Sequence, residues 1–133
     1  GVQFGMRYQI EQMLKQEGGA ILNVSSMAGL CGAAKVGAYS MAKHAVIGLT
    51  KTGAVEYGRH NIRINAICPF FALTQMVTDM ADDNMQAKMS QGAPMKRLAE
   101  PKEIVAMMLM MLSPKNTYMT GQCIAIDGGV SAA

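Results

Sequence analysis

Tyr39 and Lys43 stand four residues apart in Tyr39-Ser40-Met41-Ala42-Lys43, a spacing that puts both side chains on one face of a helix. A phenol with a pKa near ~10 is a poor base at neutral pH, but an ammonium beside it favours the phenolate and brings it toward acid/base work. Ser26 lies thirteen residues before Tyr39, at the end of a predicted strand. A hydroxyl there can hold a carbonyl oxygen while Tyr39 delivers or removes a proton. On spacing alone, a solvated Lys and a half-buried Tyr on an ordinary helix would look the same. The weight of the pair depends on the elements that position it.

From Val2 to Gln16 the apolar residues Val2, Met6, Ile10, Met13 and Leu14 recur at helical spacing, and Gly18-Gly19 supplies a left-handed stop. Residues 20–25 are β-prone and predict a buried strand, followed by a loop holding Gly29, Gly32 and Gly37. A long helix over 38–57 follows, with Ala42, Ala45, Val46, Leu49 and Gly53 as its packing face. Residues 62–68 predict a second strand, ended by Pro69, which has no N–H for a ladder. A polar, Met-rich helix is expected near 75–90, and another from Pro101 to the break at Pro114. A last strand over 122–127 is closed by Gly128-Gly129. Helices alternating with short apolar strands argue an α/β domain with a parallel sheet. Ligands of such sheets sit in the crevice at the carboxyl ends of the strands, which is where Ser26 falls.

Composition narrows the function classes. Half of the 133 residues are apolar and 16% are charged, which excludes a disordered tail. Twelve Lys and Arg against nine Asp and Glu are scattered, with no basic stripe, and Trp is absent, so nucleic acid is not an expected partner. The longest apolar run, 104–112, spans nine residues and is too short to cross a bilayer. Cys31, Cys68 and Cys123 are widely spaced and odd in number, which fits a reducing, cytoplasmic setting and supports no disulfide framework or zinc site. His44 and His60 lack partners at ligand spacing, and the Met107-Met108 and Met110-Met111 pairs read as helix core or interface. Asp82 and Asp83 read as solvated charges, and Gly128-Gly129 as a turn.

Three blocks together carry more than any one of them. Asn23-Val24-Ser25-Ser26 with Gly29 and Gly32, then Tyr39 to Lys51, resembles the short-chain dehydrogenase/reductase family. So do Ile62 to Pro69 with Thr74 five residues on, and Thr120-Gly121-Gln122 with Asp127-Gly128-Gly129. The resemblance runs across the whole chain. It implies three strands with flanking helices from the C-terminal half of a Rossmann-type sheet, and an oxidoreductase that moves hydride between NAD or NADP and a secondary alcohol or ketone. Tyr39 would be the general acid/base, Lys43 would bind the nicotinamide ribose and lower the Tyr39 pKa, and Ser26 would orient the substrate carbonyl. Pro69, Phe70, Ala72 and Thr74 would face the cofactor, and the segment from Met76 to about Gln91 would cover the substrate. Homodimers or homotetramers would form through the helices at 2–17 and 38–57.

Two departures from the family pattern accompany this. Its Gly-rich phosphate turn, its NAD/NADP selector and its catalytic Asn would all lie before Gly1, so the 133 residues are expected to be a partial domain, inactive alone. The alternative is a truncated half-domain that acts only in association. Phe70 stands where the family usually has Gly, so its side chain would crowd the cofactor or force a different loop.

Overall fold

The computed structural model describes residues 1–132. Its elements run α1 (Val2–Lys15), β1 (Gly19–Val24), a 3-10 turn (Met27–Gly29), α2 (Gly37–Tyr57) and β2 (Ile62–Pro69). Then follow α3 (Gln75–Met80), α4 (Asp83–Gln91), α5 (Pro101–Leu112) and β3 (Cys123–Ile126). The three strands form one parallel sheet in the order β1-β2-β3, with Ile21 opposite Ile64 and Ile67 opposite Ile124. This is the expected α/β architecture, and all three strands deliver their carboxyl ends to the same edge.

Strand alternation divides the core in two. Ile21, Ile62 and Ile64 face α1 and α2, where they meet Met6, Ile10 and Ala54. Ile67 faces the other way, onto Ile104 and Met111 of α5, with Leu22, Ile124 and Ile126 beside it. Polar groups on both faces are bonded rather than stranded. Asn23 Nδ2 donates to Thr50 Oγ1 at 2.8 Å, and Asn65 Nδ2 donates to Met119 O at 2.9 Å. The buried Arg63 guanidinium donates to Met111 O at 2.9 Å and to Ser113 O and Met119 O at 3.3 Å. It thereby places a cation on the open carbonyls at the end of α5.

Five expectations need correcting. The left-handed residue ending α1 is Glu17 (φ 60°), with Gly18 (φ 148°) after it. Ala42 and Ala45 of α2 are exposed; the packing face is Ile47, Thr50, Gly53 and Ala54. Thr50 can be interior because its hydroxyl accepts from Asn23 and donates to Val46 O at 2.8 Å. The single helix over 75–90 is two helices, because the Asp82 carboxylate accepts from Met85 N at 2.7 Å and starts a new one. Asp82 is therefore an exposed cap and not merely a solvated charge. Pro69 pairs with Ile126 as the last residue of β2 instead of lying beyond it.

Candidate active site

The amino end of α2 is tied to the carboxyl end of β1 by three side chain to backbone bonds. Ser25 Oγ donates to Lys43 O at 2.9 Å, Ser40 Oγ donates to Ala28 O at 2.7 Å, and Lys43 Nζ donates to Val24 O at 3.0 Å. Gly29 makes the approach possible. A Cβ there would lie 2.5 Å from Ser25 Oγ and 2.8 Å from Lys43 O. The helix can pass this closely only over a residue without a side chain.

The clamp sets the geometry of the pair singled out by spacing. Lys43 Nζ sits 5.5 Å from the centroid of the Tyr39 ring, and Tyr39 is 49% exposed. Ser26 lies at the end of the same strand, two residues after the carbonyl that receives Lys43. Its Oγ accepts from Ala28 N at 3.1 Å, capping the 3-10 turn, and its hydroxyl hydrogen is left free to donate. Lys43 is thus brought both to Tyr39 and to the strand end that carries Ser26. Ser25, Ser40 and Gly29 had no assigned role from sequence, because their partners are backbone carbonyls that no residue pattern records.

The β2 end supplies the second wall. Phe70 N donates to Ile126 O at 3.1 Å, and Ala72, buried, forms a parallel bridge with Ala99. Thr74 precedes α3, and its Oγ1 is buried without a hydrogen-bond partner among the described residues. A buried hydroxyl without a partner is costly, so the site fits a ligand that brings a polar group to Thr74. The Phe70 ring lies against Phe71, centroids 4.6 Å apart and tilted by 58°, and reaches toward Gly92.

Burial, with Cys123 nearby, pushes the Cys68 thiol up to about 11, so the sulfur beside Ser25 is a neutral filler and no nucleophile. Outside the crevice, both Arg97 guanidinium nitrogens donate to Glu103 at 2.7 Å, and Glu103 also accepts from Glu100 N at 2.8 Å. These bonds, the Arg97 pair foremost, hold the Glu103 carboxyl at about 2. Among the described residues no group of three or more His, Cys, Asp or Glu could hold a metal ion, and no helix is long and apolar enough to cross a membrane.

A parallel sheet with a hydroxyl just beyond one strand end, and a phenol and an ammonium on the helix tied to it, is one end of a Rossmann-type domain. The chain belongs to the short-chain dehydrogenase/reductase family: the family model described as enoyl-(acyl carrier protein) reductase matches residues 1–131. It is 42% identical over 95% of its length to an uncharacterized oxidoreductase of Thermotoga maritima, covering 52% of that protein. It is 38% identical over 96% of its length to 2,5-dichloro-2,5-cyclohexadiene-1,4-diol dehydrogenase of Sphingobium indicum, again covering 52%. The solved structure of ElxO with NADP bound superposes with a TM-score of 0.94 at 34% identity, over 98% of this chain and 54% of that one. The chain therefore spans about half the length of the curated relatives it matches.

Proposed function

We propose that the protein carrying this chain is an NAD(P)-dependent oxidoreductase acting on a secondary alcohol or ketone, with Ser26, Tyr39 and Lys43 as its catalytic residues. The observation that carries the reading is the Lys43 ammonium, held over the Tyr39 ring while bonded to the strand end at Val24 O. In this reading Tyr39 gives its proton to the substrate oxygen in reduction and takes it back in oxidation. Lys43 stands 5.5 Å from the ring centroid, so a positive charge lies beside Tyr39 during the transfer. Ser26 keeps a free hydrogen to donate to the same substrate oxygen, which orients it toward Tyr39.

The bound NAD(P) supplies or accepts the hydride. Lys43 has two ammonium hydrogens left after Val24 O, which suit ribose hydroxyls, and the unpartnered Thr74 Oγ1 suits a carboxamide or pyrophosphate oxygen. Pro69, Phe70 and Ala72 would line this wall through their backbone. Binding by a NADP-loaded structural relative supports the same assignment. Exposed Phe4 and Tyr8 on α1, and Met41 and Val55 on α2, support association of like chains through these two helices. Three unpaired cysteines support a reducing, cytoplasmic setting.

The test is Tyr39→Phe in the protein carrying this chain. Turnover should fall by about 10²–10⁴-fold, the usual contribution of a general acid/base, with NAD(P) affinity little changed. Near-normal turnover would sink the assignment.

The second reading, association without catalysis, draws on the coverage of about half of each relative and on the outer edge of β1, which pairs with no strand among the described residues. We propose on the same grounds that the 133 residues alone are a partial domain with no saturable NAD(P) site. Calorimetric titration of the isolated chain checks this, and micromolar binding by a stable monomer would refute it.

A further inference from the structure

The segment between β2 and α5 crosses the carboxyl edge of the sheet from the end of β2 to the end of β3. It leaves at Thr74 and returns at Ala93–Met95, where Met95 N donates to Gly128 O at 3.1 Å. The two helices it carries hold themselves down poorly. α3 buries only Val77, and α4 buries none of its residues. Such a segment belongs to the low-stability end of a fold, so its placement depends on what seats its ends. Its base is closed by the Ala72–Ala99 bridge, with Leu73 N donating to Ala99 O at 2.9 Å and Ala99 N to Phe71 O at 3.1 Å.

The return has two seats. One is the glycine turn after β3: Gly128 (φ 62°) and Gly129 (φ 95°) lie so close beneath that a Cβ at either would meet Ala93 Cβ at 3.3 Å or Pro94 Cγ at 3.1 Å. The other is Phe70. A Cβ built on Gly92, the residue that ends α4, would touch Phe70 Cζ at 3.4 Å and Cε1 at 3.7 Å. The ring is braced from behind by Phe71 and borders a cavity of about 80 Å³ shared with Met95 and Gly128.

We infer that Phe70 is a positioning residue: its ring, braced by Phe71 and seated beneath Gly92, fixes the α3–α4 segment across the strand-end crevice. The ring links the end of β2, which it joins covalently, to the end of α4, twenty-two residues away in sequence. The segment's place over a substrate rests on the oxidoreductase reading proposed above; the anchoring of α4 does not.

Amide hydrogen exchange in the protein carrying this chain tests the anchor without any substrate. Phe70→Ala should speed exchange in 83–91 by about 5–30-fold, the range that one or two kcal/mol produces, with β2 amides little changed. Phe70→Leu, which keeps an apolar branch against Phe71 and Gly92, should recover most of the protection. Gly92→Ala, whose methyl would come into ordinary contact with the Phe70 ring and lie 3.3 Å from Met89 O, should change exchange in 83–91 in a way that depends on that ring. Its effect should shrink in the Phe70→Leu background, because residues in contact are not additive. Unchanged exchange over 83–91 in Phe70→Ala overturns the inference. So does an equal rise throughout the chain, or additivity of Gly92→Ala with Phe70→Leu. Absence of NAD(P)-dependent turnover of any secondary alcohol or ketone by the protein carrying this chain would remove the oxidoreductase reading and leave the anchor standing.

Discussion

Gly29→Ala puts the clamp at the candidate site under direct load. The added Cβ would sit 2.5 Å from Ser25 Oγ, 2.8 Å from Lys43 O and 2.9 Å from Lys43 C. Two of these neighbours belong to the backbone of α2, which cannot swing aside as the end of a flexible side chain can. To reach the ~3.5 Å at which such contacts become favourable, α2 must retreat from the turn by about 0.7 Å at Lys43. Overpacking of this kind costs about 1–3 kcal/mol. If the Ser25–Lys43 bond is lost with it, a further 0.5–1.5 kcal/mol or so follows. Urea denaturation should therefore show a loss of about 1.5–4.5 kcal/mol, read as a lower midpoint at unchanged slope. The same retreat carries Lys43 and Tyr39 away from the strand end, and a displacement near 1 Å can cost up to about 10²-fold in turnover. Gly32→Ala and Gly37→Ala are the controls, since a Cβ at either meets nothing within 4 Å. Gly29→Ala indistinguishable from those controls in both midpoint and turnover would refute the account of the clamp.

Other expectations follow from the charges and thiols. The Glu103 carboxyl is held at about 2, below its ordinary 4.5, so the ionised pair with Arg97 stabilises the fold above that ordinary value. This stability is lost as pH falls from about 4.5 through about 2, so the difference in melting temperature between the parent and Glu103→Gln should be present at pH 6 and vanish toward pH 2. A gap that persists at the acid end would contradict the pairing. Cys31 is exposed while Cys68 is fully buried with its thiol pushed up to about 11, so a thiol reagent at neutral pH should label Cys31 and leave Cys68 unmodified until urea is added. Peptide mapping of the labelled chain reads the outcome, and labelling of native Cys68 at the rate of Cys31 would contradict its burial.

What was legible in the sequence is what periodicity and punctuation encode. Gly and Pro mark most of the element ends, the strand over 62–68 reads as a β-prone run up to Pro69, and Tyr39 and Lys43 share a helix face because four residues are nearly one turn. The α2 packing face was legible at Leu49 and Gly53 and misread at Ala42 and Ala45, because Ala fits either side of a helix. It was decided by Thr50, whose polarity is masked by two hydrogen bonds. The split between α3 and α4 hinged on one capping carboxylate, Asp82, in a stretch where no apolar stripe persists. The direction of the Phe70 ring depended on Gly92, a partner far along the chain.

The same distinction explains why a candidate site could be named from the sequence while its construction could not. Catalysis of the proposed kind needs particular side-chain chemistry, so Ser26, Tyr39 and Lys43 are visible as residue types. Their placement is enforced through main-chain carbonyls at Val24, Ala28 and Lys43, which every residue possesses. Lys43 belongs to both systems. One ammonium hydrogen anchors the helix to β1, while the charge stands 5.5 Å from the centroid of the Tyr39 ring. A guanidinium would keep the charge but spread it over a plane on a longer arm, with donors in a rigid fork. It could not meet Val24 O and stand over the Tyr39 ring from the same backbone position. Charge alone therefore does not define the residue at position 43. The compact ammonium does, because one point of charge must serve an anchor and a phenol at once.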